Sequence, residues 1–172
     1  MKKSFILLML TTLTCTACLQ QDEVRRLDSY LETNTLRAEY GRPTMHLTAG
    51  RKLLWLARLA GSGDREFADI ISQVNSVRIV IYRLNQNALP ALNAVRNATQ
   101  KLKAQDWEPV VTVSEADEQT RILVKLSDDT IEGMVVMSVH PLDEAVFITI
   151  SGNITPSLVD KITRGMNSDV NI

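Results

Sequence analysis

Cysteine is almost absent: Cys15 and Cys18 are the two in 172 residues, and both stand ahead of the main body of the chain. A disulfide framework, a thiolate metal site and a thiol nucleophile are therefore excluded from whatever folds downstream. Histidine is as scarce, and neither His46 nor His140 lies at ligand spacing from another His, Asp or Glu in a metal-binding pattern. No charge of one sign dominates, with 19 basic against 20 acidic side chains. That balance gives no general attraction for phosphate backbones or anionic head groups, and it argues against a nucleic-acid partner. A run of roughly 20 apolar residues is needed to span a bilayer, and the stretch from Phe5 to Leu13 stops well short of that.

What is present starts at the N-terminus. Met1-Lys2-Lys3-Ser4 followed by that short apolar run has the charged-then-apolar order of a secretion signal. The residues before Cys18 resemble the lipobox of bacterial lipoproteins, with small Thr16 and Ala17 ahead of the cysteine and Cys15 where leucine is usual. The resemblance implies cleavage after Ala17, a lipid on Cys18, and attachment to the membrane through it. Cys15, preceded by Thr12-Leu13-Thr14, fits less well. The alternative is an ordinary cut that leaves Cys18 free or disulfide-linked. One acyl chain anchors only marginally, and mature lipoproteins carry more than one. Leu19 is not the aspartate associated with inner-membrane retention, so the expected address is the periplasmic face of the outer membrane. Cleavage removes Lys2 and Lys3 from the 19 basic residues and none of the 20 acidic ones, for a mature charge of about −3 and a length of about 155 residues, suited to one domain.

Residues 18–43 show weak periodicity, with Val24, Leu27, Tyr30 and Leu31 interrupted by Glu32-Thr33-Asn34-Thr35 and Gly41-Arg42-Pro43. They read as the lipidated N-terminus and a tether. A single domain is expected over 44–168. It opens with a short strand at 44–48, then a helix whose stripe is Leu53, Leu56, Ala57 and Ala60, stopped by Gly61-Ser62-Gly63. The glycines lack the strand and lysine of a phosphate loop. Asp64 caps a second helix with Phe67, Ile70, Ile71 and Val74 at core spacing.

Residues 77–82 are β-branched and nearly continuously apolar, as in a central strand buried on both sides. A helix over 86–104 follows, with stripe Ala88, Leu92, Val95, Thr99 and Leu102 and Pro90 in its first turn. Four alternating runs come next, at 107–113, 120–126, 131–139 and 145–151, joined by short turns that require antiparallel neighbours. Their inward sets read as Val111 and Val113; Ile122, Val124 and Leu126; Met134 and Val136 or their neighbours; Val146, Ile148 and Ile150. A last helix opens at Thr155-Pro156 and ends before Gly165. The pattern is α+β, an antiparallel sheet made of a central strand and a four-strand meander with helices packed on one face.

Met45-His46-Leu47 leading into Leu53-Leu54-Trp55-Leu56-Ala57, the strand Val77-Arg78-Ile79-Val80-Ile81-Tyr82, Trp107-Glu108, Ile131-Glu132-Gly133-Met134-Val135-Val136 and Val146-Phe147-Ile148-Thr149-Ile150-Ser151-Gly152-Asn153-Ile154 together resemble a family of bacterial lipoproteins catalogued as domain of unknown function 4252. The likeness runs over about residues 40 to 165 and rests on core patterns. It implies a cell-envelope lipoprotein of unassigned role and carries over no catalytic residue, cofactor or metal ligand.

Candidate chemistry is thin. Ser138, His140 and Asp143 form a serine-histidine-acid set on paper, but neighbours on one strand face do not converge on an attack point. Asp117-Glu118 and Asp128-Asp129 suit polar turns better than a calcium loop. Trp55 is off its helix stripe, either partly buried against a neighbouring helix or a partner contact, and Trp107 closes one end of the core. Arg78, Arg83, Arg121 and Lys125 are expected on a solvated polar sheet face, with anion or partner binding as the lesser reading. The chain reads as a non-enzymatic binding or interaction module that meets an envelope protein partner near the membrane, and the alternative is a periplasmic hydrolase with an unrecognised site.

Overall fold

The computed structural model describes residues 30–60, 65–115, 117–128 and 130–155, with backbone alone at 60 and 65–67. Cys15, Cys18, the signal segment, the break at 61–63, Asp64, Asp129, the Phe67 side chain and the expected helix beyond Thr155 lie outside what it describes. The elements are α1 (Thr33–Tyr40), β1 (Met45–Gly50), α2 (Arg51–Ala60), α3 (Arg65–Gln73), β2 (Val74–Arg83), α4 (Leu89–Lys103), β3 (Trp107–Ser114), β4 (Gln119–Ser127), β5 (Thr130–Val139) and β6 (Glu144–Ile154). The six strands form one sheet in the order β1-β2-β6-β5-β4-β3, with every described pairing antiparallel. The class read from the sequence is the class observed, α+β with a meander. β2 is joined to β6 and β1, and α4 carries the chain across the sheet to β3.

Burial selects one face. Val80 and Tyr82 pair with Phe147 and Ala145, Phe147 and Thr149 pair with Met137 and Val135, and Val135 pairs with Leu123. All of these side chains are buried, and most belong to one cluster with α1 and α4. From α4 come Ala91, Ala94, Val95, Ala98 and Leu102. Three alanines on the docking side let the helix axis approach the strands closely, which fills space that longer side chains would hold open. Helix α4 has no side-chain cap of its own at Ala88. Tyr40, at the end of α1, accepts a hydrogen bond from Ala91 N at 3.1 Å and donates one to Asn87 O at 2.7 Å, so its hydroxyl serves as a cap in trans.

The inward sets expected for the four-strand meander need correction. Val111, Val113, Ile122, Val124, Val146, Ile148 and Ile150 lie on the opposite face from Leu123, Val135, Met137 and Phe147, and on β5, where the sequence left two sets open, the neighbours Val135 and Met137 face the main core in place of Met134 and Val136. Except for Val124 the residues on that opposite face are half-buried or exposed, and Leu126 is exposed. Strands that are apolar at both parities carry no period-two contrast, so their sequence does not say which side the main helix will cover. For the same reason β2 is half-buried at Ile79 and Ile81 rather than sealed on both sides.

The α4 stripe is likewise rotated, keeping Val95 and Leu102 but burying alanines in place of Ala88, Leu92 and Thr99, which are only partly covered. Thr99 Oγ1 instead donates to Val95 O at 2.7 Å. The stretch expected to be tether contains α1 and buries Leu31 and Leu36 in the main core, because the sheet edge beside α4 offers those leucines apolar cover. Helices are not confined to one face either. Ile70 of α3 packs with Met134, Ile150, Val124, Ile131 and Ile154 in a second, smaller cluster on the far side.

Gly152 marks where the α3 to β2 junction crosses β6: a Cβ there would overlap the Gln73 carbonyl oxygen and meet Val74 Cα at 3.0 Å. Both obstacles are backbone and cannot swing away. Gly152→Ala should therefore destabilise the fold by about 1–3 kcal/mol, the usual cost of overpacking, measured by urea unfolding.

Burial, followed by the neighbouring Glu39 charge, pushes the Tyr40 phenol above its ordinary value of 10.0, and the Ala91 hydrogen bond opposes the shift. A pKa raised in the folded state gives stability that is complete below the unfolded value and lost as pH rises through it. Unfolding measured from pH 8 to 11 should show wild type losing stability above about pH 10, with that part of the loss missing in Tyr40→Phe. At neutral pH the same variant should be less stable by about 1 kcal/mol for the lost cap.

Candidate functional site

The serine-histidine-acid set can be judged on geometry. Ser138 Oγ and His140 Nε2 are 3.4 Å apart, at the long end for a hydrogen bond and on an exposed hairpin end. Thr120 Oγ1 lies 2.6 Å from Glu118 Oε1 and 2.8 Å from Ser138 Oγ. Thr120 faces both oxygens as donor, and with one hydroxyl proton it serves one of them at a time. Asp143 enters through its backbone, with Asp143 N donating to His140 O at 2.9 Å and Leu84 N donating to Asp143 O at 2.9 Å. These residues build a turn, and the structure does not bring them together as a triad.

A cavity of about 300 Å³ lies between α1 and the β1-β2 edge, lined by Thr33, Asn34, Arg37, Pro43, His46, Arg78, Val80 and Tyr82. It collects one of the two histidines with two arginines, a donor set fitted to an anion and poor in metal ligands. Thr33, Arg78 and Tyr82 are already engaged within the chain, Tyr82 in part through a 3.3 Å bond to Thr33 O. The Tyr82 to Thr33 bond joins β2 to the start of α1. Among the described residues no three His, Cys, Asp or Glu side chains gather as a metal site would require.

The basic residues expected on a polar exposed face are dispersed. Arg78, Arg121 and Lys125 share the face of Thr149, Met137 and Gly133, whereas Arg83 is opposite. Arg121 Nη1 is satisfied by Val113 O at 2.7 Å and Thr120 O at 3.1 Å. The helix-poor face is apolar instead. One row of it, Leu47-Ile79-Ile148-Val136-Ile122-Val111, crosses all six strands in register.

Helix α2, which packs on α3, β1 and β2, departs furthest from the soluble pattern. Leu54 alone is buried among its described side chains, while Leu53 is 50%, Trp55 57%, Leu56 54% and Leu59 53% exposed. The expected stripe of Leu53, Leu56, Ala57 and Ala60 is corrected accordingly: Leu53 and Leu56 face outward, Ala57 is half-buried, and the Ala60 side chain is outside the description. The leucines of α2 span more than half of the helix circumference, wider than its contact with the fold, which buries Leu54 alone among the described side chains. On the adjoining edge strand Met45 and Leu47 are 49% and 45% exposed. Large apolar side chains gathered outside are uncommon on a monomer and mark contact surfaces. The available sequence signal was the surplus of leucine over what one face can bury. Trp107, by contrast, is buried at 5% as expected, with its ring over Gly133.

A family model described as Domain of unknown function (DUF4252) matches residues 43–162. The chain belongs to this family. The matched region holds α2, its supporting strands and the whole sheet, and no curated protein matches the chain.

If α2 is a contact surface rather than core, polar substitution should be cheap there. Trp55→Ser and Leu59→Ser should each change stability by less than about 0.5 kcal/mol, as for surface sites, and should lower the binding of a hydrophobic dye. Phe147→Ala should cost about 3–5 kcal/mol. Thermal and urea unfolding of the three variants distinguishes the classes.

Proposed function

We propose that the chain is a cell-envelope lipoprotein, anchored through a lipid on Cys18 to the periplasmic face of the outer membrane, whose folded domain is a non-enzymatic binding or interaction module. The observation that carries the module reading is the outward apolar surface of α2: Leu53, Trp55, Leu56 and Leu59 stand about half exposed together on one short helix. The anchor reading is supported by the charged-then-apolar N-terminus and by Ala17-Cys18. Among the described residues no helix is long and apolar enough to cross a membrane, so in this reading the attachment is made by the lipid. A tether confines the search for a partner to a thin layer and raises effective concentration, which lets weak apolar contact suffice.

Labelling with a radioactive fatty acid tests the anchor. Wild type and Cys15→Ala should incorporate label, and Cys18→Ala should not, with the labelled protein in the outer-membrane fraction. Equal incorporation into Cys18→Ala overturns the assignment.

A further inference from the structure

We propose that α2 is an interfacial helix that lays the domain on the surface of a bilayer containing anionic lipid. The proposal rests on the membrane-anchor reading for its setting, and it names what α2 meets: the lipid head-group layer itself. At about 100° per residue, Leu59, Lys52 and Leu56 point within roughly 40° of the direction opposite the buried Leu54, and Trp55 and Leu53 fall on the two flanks. The outward sector of a surface helix is normally its polar one. Here it is the apolar one.

Charge decides between a lipid surface and an ordinary apolar partner. Within Arg51–Ala60 there are three cations, Arg51, Lys52 and Arg58, and no acid. Arg51 is partly committed to Asn75 Oδ1 at 2.7 Å, whereas Lys52 and Arg58 are exposed. The acidic balance of the whole chain is of little consequence here, since charges beyond about 8 Å are screened at physiological salt. Leucines and a tryptophan on the outward side, with the long cationic side chain of Lys52 among them and Arg51 next to Trp55 around the helix, make up the composition of helices that lie in the interface plane. The tryptophan suits the head-group level, having an apolar ring and one N–H. Lysine and arginine can lay their stems along the apolar layer and keep their charges among the phosphates. Ten residues bind weakly alone, and a tether supplies the second signal that stable attachment needs.

The test uses the mature protein purified from its host and reconstituted into phosphatidylethanolamine vesicles, with or without phosphatidylglycerol, carrying brominated acyl chains. Trp55 and Trp107 are the two tryptophans, and the second is buried, so quenching by bromine reports on Trp55. Quenching is expected in wild type on anionic vesicles and should vanish in Trp55→Phe. Lys52→Gln should lower the ratio of docked to undocked domain about five-fold, the factor for one charge near an anionic surface, with little effect without phosphatidylglycerol, whereas Arg58→Gln, one turn on from Leu54 and on its side of the helix, should change the ratio much less. A protein that floats with the vesicles while Trp55 stays unquenched overturns docking and leaves the anchor standing. If the host's mature form carries no lipid, the anchor reading fails, and quenching of that form added to vesicles still decides docking. Concentration-dependent self-association that shields Trp55 without lipid would also overturn the proposal, in favour of a second copy of the chain.

Discussion

The close fit of α4 on one side of the sheet is the constraint on which the remaining structure depends. Ala91, Ala94 and Ala98 remove bulk from the helix, and Phe147, Met137, Val135 and Leu123 supply it from the strands. Shape is thereby divided between a smooth helix and a rough sheet. The arrangement works only in one register, because a one-residue slip of β5 or β6 would turn the buried row outward. Tyr40 secures the start of α4 from α1, and its ring stands 6.2 Å from that of Tyr82, which lies 6.5 Å from Phe147. Helix capping and core packing are thus one structure. The Lys101 to Glu32 ion pair at 2.8 Å joins the same two helices further along, though an exposed pair of this kind adds little.

Once that face is sealed, the second face carries the surplus. The chain has enough β-branched and aliphatic residues to make both parities of the sheet apolar, while the described part of α3 supplies only a small cluster under Ile70. Helix α2 then sits at the edge with Leu54 spent on the fold and its other large side chains turned out. In a freely diffusing protein this would be a liability for aggregation. In the proposed setting, with the domain held near a lipid surface through Cys18, the same arrangement would be useful.

The polar features make more sense as structure than as chemistry. Thr120 faces Ser138 and Glu118 as donor along one hairpin end, Arg37, His46 and Arg78 line the cavity beside α1, and Gln73 Oε1 receives Thr155 N and Oγ1 at 3.0 and 3.1 Å where β6 ends. The hairpin and β6 contacts each have a bonding role that accounts for their position. None assembles a nucleophile, a base and an oxyanion site around one point.

Much of the fold was legible in local pattern. The α+β class, the meander, the two central helices and the role of Trp107 follow from periodicity, short turns and β-branching, all of which are properties of neighbours along the chain. The resemblance of Ala17-Cys18 to a lipidation site and the confinement of both cysteines, Cys15 and Cys18, to that region are likewise matters of sequence alone. What local pattern could not settle was every choice between two equivalent sides. Whether Val136 or Val135 faces the main core, whether Leu53 or Leu54 faces the sheet, and whether Leu36 lies in a tether or under α1 depend on which apolar surface another element covers first. Alternation names two faces without ranking them, and an apolar arc wider than its contact does not say which leucine the fold will bury. Only the tertiary structure, by spending its limited helical cover on one side, decided which apolar residues became core and which were left as contact surface.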